Sequence, residues 1–252
     1  MSDKQLLDFI AERSGAGEPI SVITTIAAGG ETHKLAVTEA GDSCGSNRSV
    51  ELPAEIIAAA RKAIGGRKLA SIVETASEAE GKVTYVIEVI RPKPSLVVFG
   101  AGHVGQAVAL IGALTGYDVT VVDDREEFLS RSRIPDKQIR LTKCDFSEAV
   151  RDIKLTRSTA VVIVTRGHQY DEMCLRSVVG SAAGYIGMIG SRRRVLSVFA
   201  KLKGDGVAAR DLESVHAPIG LSIGARSPQE IAVAIVAEII SFLNAGTGEG
   251  KV

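Results

Sequence analysis

The sequence predicts an α/β protein: a doubly wound parallel sheet preceded by a smaller α/β domain. Three observations carry that prediction. A short apolar run, Leu96-Val-Val-Phe99, leads into Gly100-Ala-Gly-His-Val-Gly105, spaced G-x-G-x-x-G, and a helical pattern starts at once. Beyond it, apolar runs alternate with amphipathic stretches, as in parallel strands joined by right-handed crossover helices. Before it, Arg91-Pro-Lys-Pro-Ser95 places two prolines in three residues, which stops regular structure and marks a boundary. The expected organisation is a small domain at 1–91, a larger one at 95–244 and a flexible, glycine-rich tail at 245–252.

In the first domain, residues 3–13 read as a helix with Leu6, Leu7 and Ile10 on one face, and Ile20–Ile26 and Lys34–Thr38 as strands. Pro53–Ile64 is an alanine-rich helix. Leu69–Thr75 and Val83–Ile90 pair as a hairpin across Ser77-Glu-Ala-Glu-Gly81. In the second domain the strands are Leu96–Phe99, Val119–Val122, Gln138–Leu141, Ala160–Thr165 and Tyr185–Ile189. The helices are Val104–Thr115, Ser147–Ile153, Asp171–Ala182, Arg192–Lys203 and Pro228–Leu243. The last opens on Ser227-Pro-Gln-Glu230, with Ser as cap, Pro at the first helical position and Glu at the third. Its body is apolar nearly all round, which predicts burial in the monomer or at a subunit contact.

The glycine spacing has a physical meaning. Gly100 permits the tight turn off the strand, and Gly102 lets a pyrophosphate approach the backbone. Gly105 lets the helix pack closely, and the helix N-terminus, with His103 and Val104 in its first turn, faces the anion. The next strand ends in Asp123-Asp124, and Asp123 lies 18 residues beyond Gly105, near where an acid meets a ribose hydroxyl. The order of strand, turn, helix, strand and acid predicts a Rossmann-like, dinucleotide-binding unit.

Three further loops fall beyond strand C-termini, where ligands bind in open α/β sheets. Thr165-Arg-Gly-His-Gln-Tyr-Asp171 offers His168 as an acid–base group and Asp171 as a helix cap. Gly187-Met-Ile-Gly-Ser-Arg-Arg-Arg194 offers Ser191 as a cap and the arginines Arg192, Arg193 and Arg194 as phosphate ligands, since three cations at a helix N-terminus oppose its dipole unless an anion joins them. His216-Ala-Pro-Ile-Gly-Leu-Ser-Ile-Gly-Ala-Arg226 is a shaped loop with His216 and Arg226 at its ends.

Composition excludes other classes. Thirty basic residues balance thirty acidic ones, so no net field draws the chain to nucleic acid or an anionic membrane. Trp is absent and aromatics make up 4%, too few for base-stacking platforms. No apolar run approaches the roughly 18 residues of a membrane span, and the first residues lack a signal-peptide layout. Cys44, Cys144 and Cys174 have neither disulfide-framework nor metal-ligand spacing, so no metal site is expected and a cytoplasmic location is.

From about Ser95 to Asn244 the chain resembles the C-terminal domain of the xanthine dehydrogenase accessory factors, the XdhC/CoxI family. The resemblance rests on V-F-G-A-G-H-V-G, V-V-D-D-R, I-G-M-I-G-S-R-R-R and H-A-P-I-G-L-S-I-G-A-R-S-P-Q-E-I-A-V-A-I-V-A-E-I-I. Thr165-Arg-Gly-His168 looks like that family's T-H-D-H loop, with Arg166 at the first histidine. Lys34–Gly41 and Gly45–Glu51 resemble the first domain, where a cysteine directly before Val-Glu is expected. Here Ser49 stands in that place and Cys44 lies five residues earlier, and a serine does not replace a thiolate as a sulfur or molybdenum ligand.

The resemblance implies a maturation factor for molybdenum hydroxylases of the xanthine or CO dehydrogenase type, a cofactor-insertion chaperone more than a catalyst. It would bind molybdenum cofactor, its dinucleotide form included, or NAD(P), and assist sulfuration and insertion. Its partners would be the apo-hydroxylase, a cysteine desulfurase and a second copy of itself. A second reading is an NAD(P)-dependent oxidoreductase with His168 as acid–base group. A third is a nucleotide-sensing regulatory module, which leaves the H-A-P-I-G loop unexplained.

Overall fold

The computed structural model describes residues 3–27, 29–45, 52–66, 70–77 and 81–245. The chain forms two compact units, one drawn from Met1–Pro92 and the other from Lys93–Leu243.

The first unit is an antiparallel sheet with a helix on each face. Its elements are α1 (Asp3–Gly15), β1 (Ile20–Ile26), β2 (Thr32–Thr38), β3 (Ser43–Gly45), α2 (Ala54–Gly65), β4 (Ala70–Ser77) and β5 (Gly81–Ile90). The strand order is β3-β2-β1-β5-β4. In β5, Val83, Tyr85, Ile87 and Val89 are buried in alternation, as period two requires. Ile56 and Ala60 of α2 repeat at four residues and cover Ile23, Val37 and Ile87. On α1, Leu6 packs with Phe9 and Ile10 against Ile20, Val22 and Ala36. Leu7, expected on that face, is 63% exposed, because the positions stacked on Leu6 are three and four residues away. β4 and β5 pair from Ala70↔Glu88 to Ser77↔Gly81, the expected hairpin. Leu69, the tip residues 78–80 and the segment 46–51, which includes Ser49, lie outside the described residues.

The second unit is a parallel sheet of β6 (Ser95–Phe99), β7 (Asp118–Asp123), β8 (Arg140–Lys143), β9 (Thr159–Ile163) and β10 (Tyr185–Met188). Its spatial order is β10-β9-β6-β7-β8, all parallel. The chain therefore starts in the middle, winds outward through β7 and β8, then returns to the other side of β6. That reversal is the topological switch point, and it lies between β6 and β9. Both faces of the sheet are covered, so its central strands are apolar on both sides. α3 (His103–Leu114) and α7 (Pro228–Ala245) cover Leu96, Val98, Val119 and Val121. α4 (His168–Val178) and α5 (Arg192–Gly204) cover Val97, Phe99, Val122 and Ile163.

Three expectations are corrected. The segment Ser147–Ile153 is a run of turns and bends, not a helix. Asp145 organises it: its carboxylate accepts from the Ser147 N–H at 2.8 Å and the Ser147 hydroxyl at 2.6 Å. Phe146 and Ala149 are pinned in the core there. α4 starts at His168, not Asp171, capped by Gly167, and ends four residues early at Val178, before Gly180 with φ +75°. β8 lies two residues later than expected. α7 opens with the predicted capping box: Glu230 N–H donates to the Ser227 hydroxyl at 3.2 Å and Ser227 N–H to the Glu230 carboxylate at 3.0 Å. It runs to Ala245, two residues beyond the expected end, and residues 246–252 lie outside the described set. The short helix α6 (Ala209–Glu213) and strand β3 carry no periodic signal long enough to be read from sequence. Among the described residues no helix is long and apolar enough to cross a membrane.

Candidate functional site

The glycine turn sits at the C-terminal end of the central strand β6. Gly100 has φ +106°, and a Cβ there would meet the Val164 carbonyl oxygen at 2.6 Å. A Cβ on Gly105 would meet the Gly100 carbonyl oxygen at 1.8 Å, so a glycine is required for α3 to dock on the turn. Gly102 differs from both, since a Cβ there would have nothing within 4 Å. The space above it is open, and Gly102 is the N-cap of α3 without a side-chain cap. The first helical bond runs from Gln106 N–H to the Gly102 carbonyl at 2.9 Å. The N–H groups of His103, Val104 and Gly105 therefore precede the helical ladder, at the positive end of the helix dipole. The His103 side chain is exposed.

Asp123 ends β7 and is fully buried. Its carboxylate accepts from Ala101 N–H at 2.7 Å, from Arg125 N–H at 3.0 Å and from the Arg125 guanidinium at 2.9 and 3.0 Å. Four bonds fill the acceptor capacity of a carboxylate. Asp123 thus fastens the glycine turn to β7, where the sequence had placed it against a ribose. Arg125 lies with its guanidinium carbon 3.7 Å from the centre of the Phe128 ring.

Asp124, one residue past β7, is partly exposed and lies beside Asp123, with the Arg125 guanidinium 3.8 Å away. Arg166, from the loop after β9, grips its two oxygens at 2.6 and 2.8 Å, donates to the Tyr170 hydroxyl at 2.7 Å and lies 4.2 Å over the Tyr170 ring. The Arg166 guanidinium holds the Asp124 carboxyl down to about 2, and Asp124 in turn raises the pKa of Arg166. This pair joins the loops after β7 and β9, the two strands flanking the glycine turn.

The loop after β9 is tied down beneath the surface. The Thr165 hydroxyl donates to the Asp171 carboxylate at 2.5 Å, and the Arg194 guanidinium pairs with the same carboxylate. Asp171 is fully buried within the first turn of α4, so it locks α4 to α5 where the sequence suggested a cap. Arg194, the third of the arginine run, is therefore committed inward. The sequence offers it as a phosphate ligand beside Arg192 and Arg193, and its pairing with the buried Asp171 corrects that reading. Ser191 caps α5 as expected, accepting from Arg194 N–H at 3.3 Å, and Arg192 and Arg193 are exposed beside it. His168 is the first residue of α4, and its side chain lies outside the described set.

His216 belongs to a different place. Its N–H donates to Ile186 O and its carbonyl accepts from Met188 N–H, both at 2.9 Å, so the chain runs along β10 as a sixth parallel ribbon. Its ring stacks on Tyr185 with centroids 4.5 Å apart, meets Phe242 edge-on and lies 3.5 Å from the Glu238 carboxylate. Glu238 also accepts from the Tyr185 hydroxyl at 2.5 Å and from Gly220 N–H at 3.1 Å. Ile219 fills the space that a side chain at Gly187 would need. The H-A-P-I-G segment is thus a sheet-edge clasp against α7, and His216 does not join the glycine turn. Arg226 is exposed just before α7, and its N–H donates to Glu230 at 2.7 Å.

A cavity of about 570 Å³ lies elsewhere, lined by Ser95, Asp118 and Arg140 at the opening residues of three strands and by the turns at 143–154. It faces the N-terminal ends of the strands, away from the glycine turn. Cys144 is on its wall, and burial followed by Asp145 raises that thiol's pKa. Cys174 is fully buried, and burial raises its pKa too. The Cys44 thiol is buried beneath α1, 3.6 Å from the Gln5 carbonyl. Among the described residues no group of three or more His, Cys, Asp or Glu side chains is placed to hold a metal ion.

A parallel sheet reversing at a glycine turn, with the turn's amides at a helix N-terminus, defines a Rossmann-type domain. The chain belongs to the XdhC family: residues 96–239 match the model of the XdhC Rossmann domain. It is 34% identical over 172 residues to the uncharacterized protein YqeB of Escherichia coli (strain K12), which is 68% of this chain and 31% of that protein. It is 32% identical over 154 residues to a probable xanthine dehydrogenase subunit of Bacillus subtilis (strain 168), 61% of this chain and 44% of that one. The matches thus span less than half the length of either relative. A crystal structure described as a xanthine dehydrogenase from Bacillus halodurans shares the fold, with TM-score 0.67 and 22% identity over 96% of this chain and 67% of that chain.

Proposed function

We propose that this protein is a maturation factor for a molybdenum hydroxylase of the xanthine dehydrogenase type, and that it holds a dinucleotide or the pyrophosphate of the molybdenum cofactor at the Gly100–Gly105 turn. The observation that carries the binding reading is the open space over Gly102 at the start of α3, beside a position 105 that only glycine can fill. The donors there are the amide N–H groups at the start of α3, a set suited to phosphate oxygens. Gly100 and Asp123 would set the shape of the cradle, Gly102, His103, Val104 and Gly105 would line it, and the exposed Arg192 and Arg193 at the start of α5 would supply cations.

The hydroxylase link is supported by family membership and by the name of the B. subtilis relative, a probable xanthine dehydrogenase subunit. Sulfur for the cofactor would come from a cysteine desulfurase partner. The raised pKa of both Cys144 and Cys174 disfavours the thiolate that sulfur transfer requires. The protein would act in the cytoplasm, as a homodimer.

The test is genetic and biochemical together. The protein should co-purify with the apo-hydroxylase, and adding it back to a deletion strain should restore hydroxylase activity. Native mass spectrometry of the fresh protein should show a mass shift that separates NAD, NADP and molybdopterin species. A deletion strain that keeps full hydroxylase activity and an intact terminal sulfido ligand would overturn the proposal.

A further inference from the structure

We propose that the cavity between strands β6–β8 and the turns at 143–154 is a second binding site, for a small zwitterion of the amino-acid or dipeptide class, with its carboxylate on Arg140 and its ammonium on Asp152.

One face of the parallel sheet is divided in two. Over β6, β9 and β10 it carries apolar side chains such as Phe99, Val161, Ile163 and Met188, beneath α4 and α5. Over β7 and β8 the same face carries Thr120, Arg140 and Thr142, as the register Val97↔Thr120, Thr120↔Arg140 and Val122↔Thr142 requires. Among the described residues no helix covers that half, because the chain between β8 and β9 runs as turns and bends. A covering helix needs an apolar surface beneath it, so a polar floor suits neither a helix of this chain nor one of a partner. The space left is about 570 Å³, within the range of small-molecule sites. Its floor is shielded, with Val97 3% and Thr120 5% exposed, and its rim is charged.

Charge selects the ligand. The Arg140 guanidinium donates to the Thr120 hydroxyl at 3.2 Å, which steadies it over the floor and leaves the rest of its donor fork for a carboxylate. Among the described residues, the Asp152 side chain has no hydrogen-bond or ion-pair partner, and neither does that of Asp118 across the rim. Burial, then Asp145, Asp152 and Glu148, raise the pKa of the Cys144 thiol on the cavity wall, so the negative field of these acids reaches inside. That field opposes a polyphosphate, and Arg140 opposes a bare cation. A zwitterion satisfies both ends, and its carbon skeleton would lie on Val97 and Ala149. The cavity opens at the N-terminal ends of the strands, so this site is independent of the glycine turn.

The test is titration calorimetry of the full chain with the twenty L-amino acids and their glycyl dipeptides. At least one should bind with Kd below about 1 mM, and saturating NAD+ should leave that affinity unchanged. Its carboxamide and its N-acetyl derivative should each bind about tenfold more weakly, as loss of one charge-assisted bond requires. Arg140→Gln should erase the advantage of the free carboxylate over the carboxamide and keep that of the free amine. Asp152→Asn should do the converse, with circular dichroism showing both variants folded. A merely structural role for either residue would not give these opposite patterns. Binding by none of the panel at 1 mM, equal binding of the capped derivatives, variants that leave both advantages in place, or displacement by NAD+ would each overturn the proposal.

Discussion

At position 105 one methyl group separates a closed turn from a broken one. A Cβ there would lie 1.8 Å from the Gly100 carbonyl oxygen, a backbone atom that has no room to move. Gly105→Ala should therefore destabilise the second unit by about 3 kcal/mol or more, read as a shifted denaturant midpoint. Gly102→Ala is the informative contrast. With nothing within 4 Å of its Cβ, it should change stability by less than about 1 kcal/mol while abolishing the nucleotide-dependent mass shift. Asp123→Asn leaves the Arg125 guanidinium facing a neutral amide in a buried site, and should cost about 3 kcal/mol in chemical denaturation. The Asp124–Arg166 pair gives a pH signature. Its carboxyl titrates at about 2 in the folded chain against an ordinary 3.8, so its stabilisation is present above pH 4 and is lost as pH falls through 2. Asp124→Asn should remove an acid-dependent component on the order of 1 kcal/mol from urea melts recorded between those limits, small because the pair is partly solvated.

Elements show where sequence and packing parted. α3, α5 and α7 were legible because each has twelve or more residues and a start signal: the glycine turn, Ser191 and the Ser227–Glu230 box. Ser227→Ala should cost about 1 kcal/mol in thermal or urea unfolding, since it frees the Glu230 N–H that the hydroxyl now satisfies. In the stretch 147–153, expected as a helix, local bonds to Asp145 took precedence over a helical ladder. α4 was displaced because Asp171, read locally as a cap, is used across the fold by Thr165 and Arg194. His216 is the same lesson at the sheet edge: its loop carries glycines and polar ends, yet Tyr185, Phe242 and Glu238 draw it against α7.

For the whole molecule, the two units on either side of the proline-rich link each close their own core. Proposing that the boundary at 91–95 separates independent domains leads to a simple expectation. A fragment of residues 93–245 should unfold cooperatively on its own and keep nucleotide binding, as calorimetry would show, and an unfolded fragment would refute the boundary. The sequence by itself determined the α/β class, the central strand, its glycine turn and the family, because these rest on short-range spacing and on the backbone freedom of glycine. Only the tertiary structure decided which acid holds the glycine turn and which pairs with Arg166. Asp123 and Asp124 are neighbours of one residue type, and no local rule tells them apart. What separates them is that Asp123, the last residue of β7, is buried against the Ala101 amide and Arg125, while Asp124, one residue past the strand, pairs with an arginine 42 residues away.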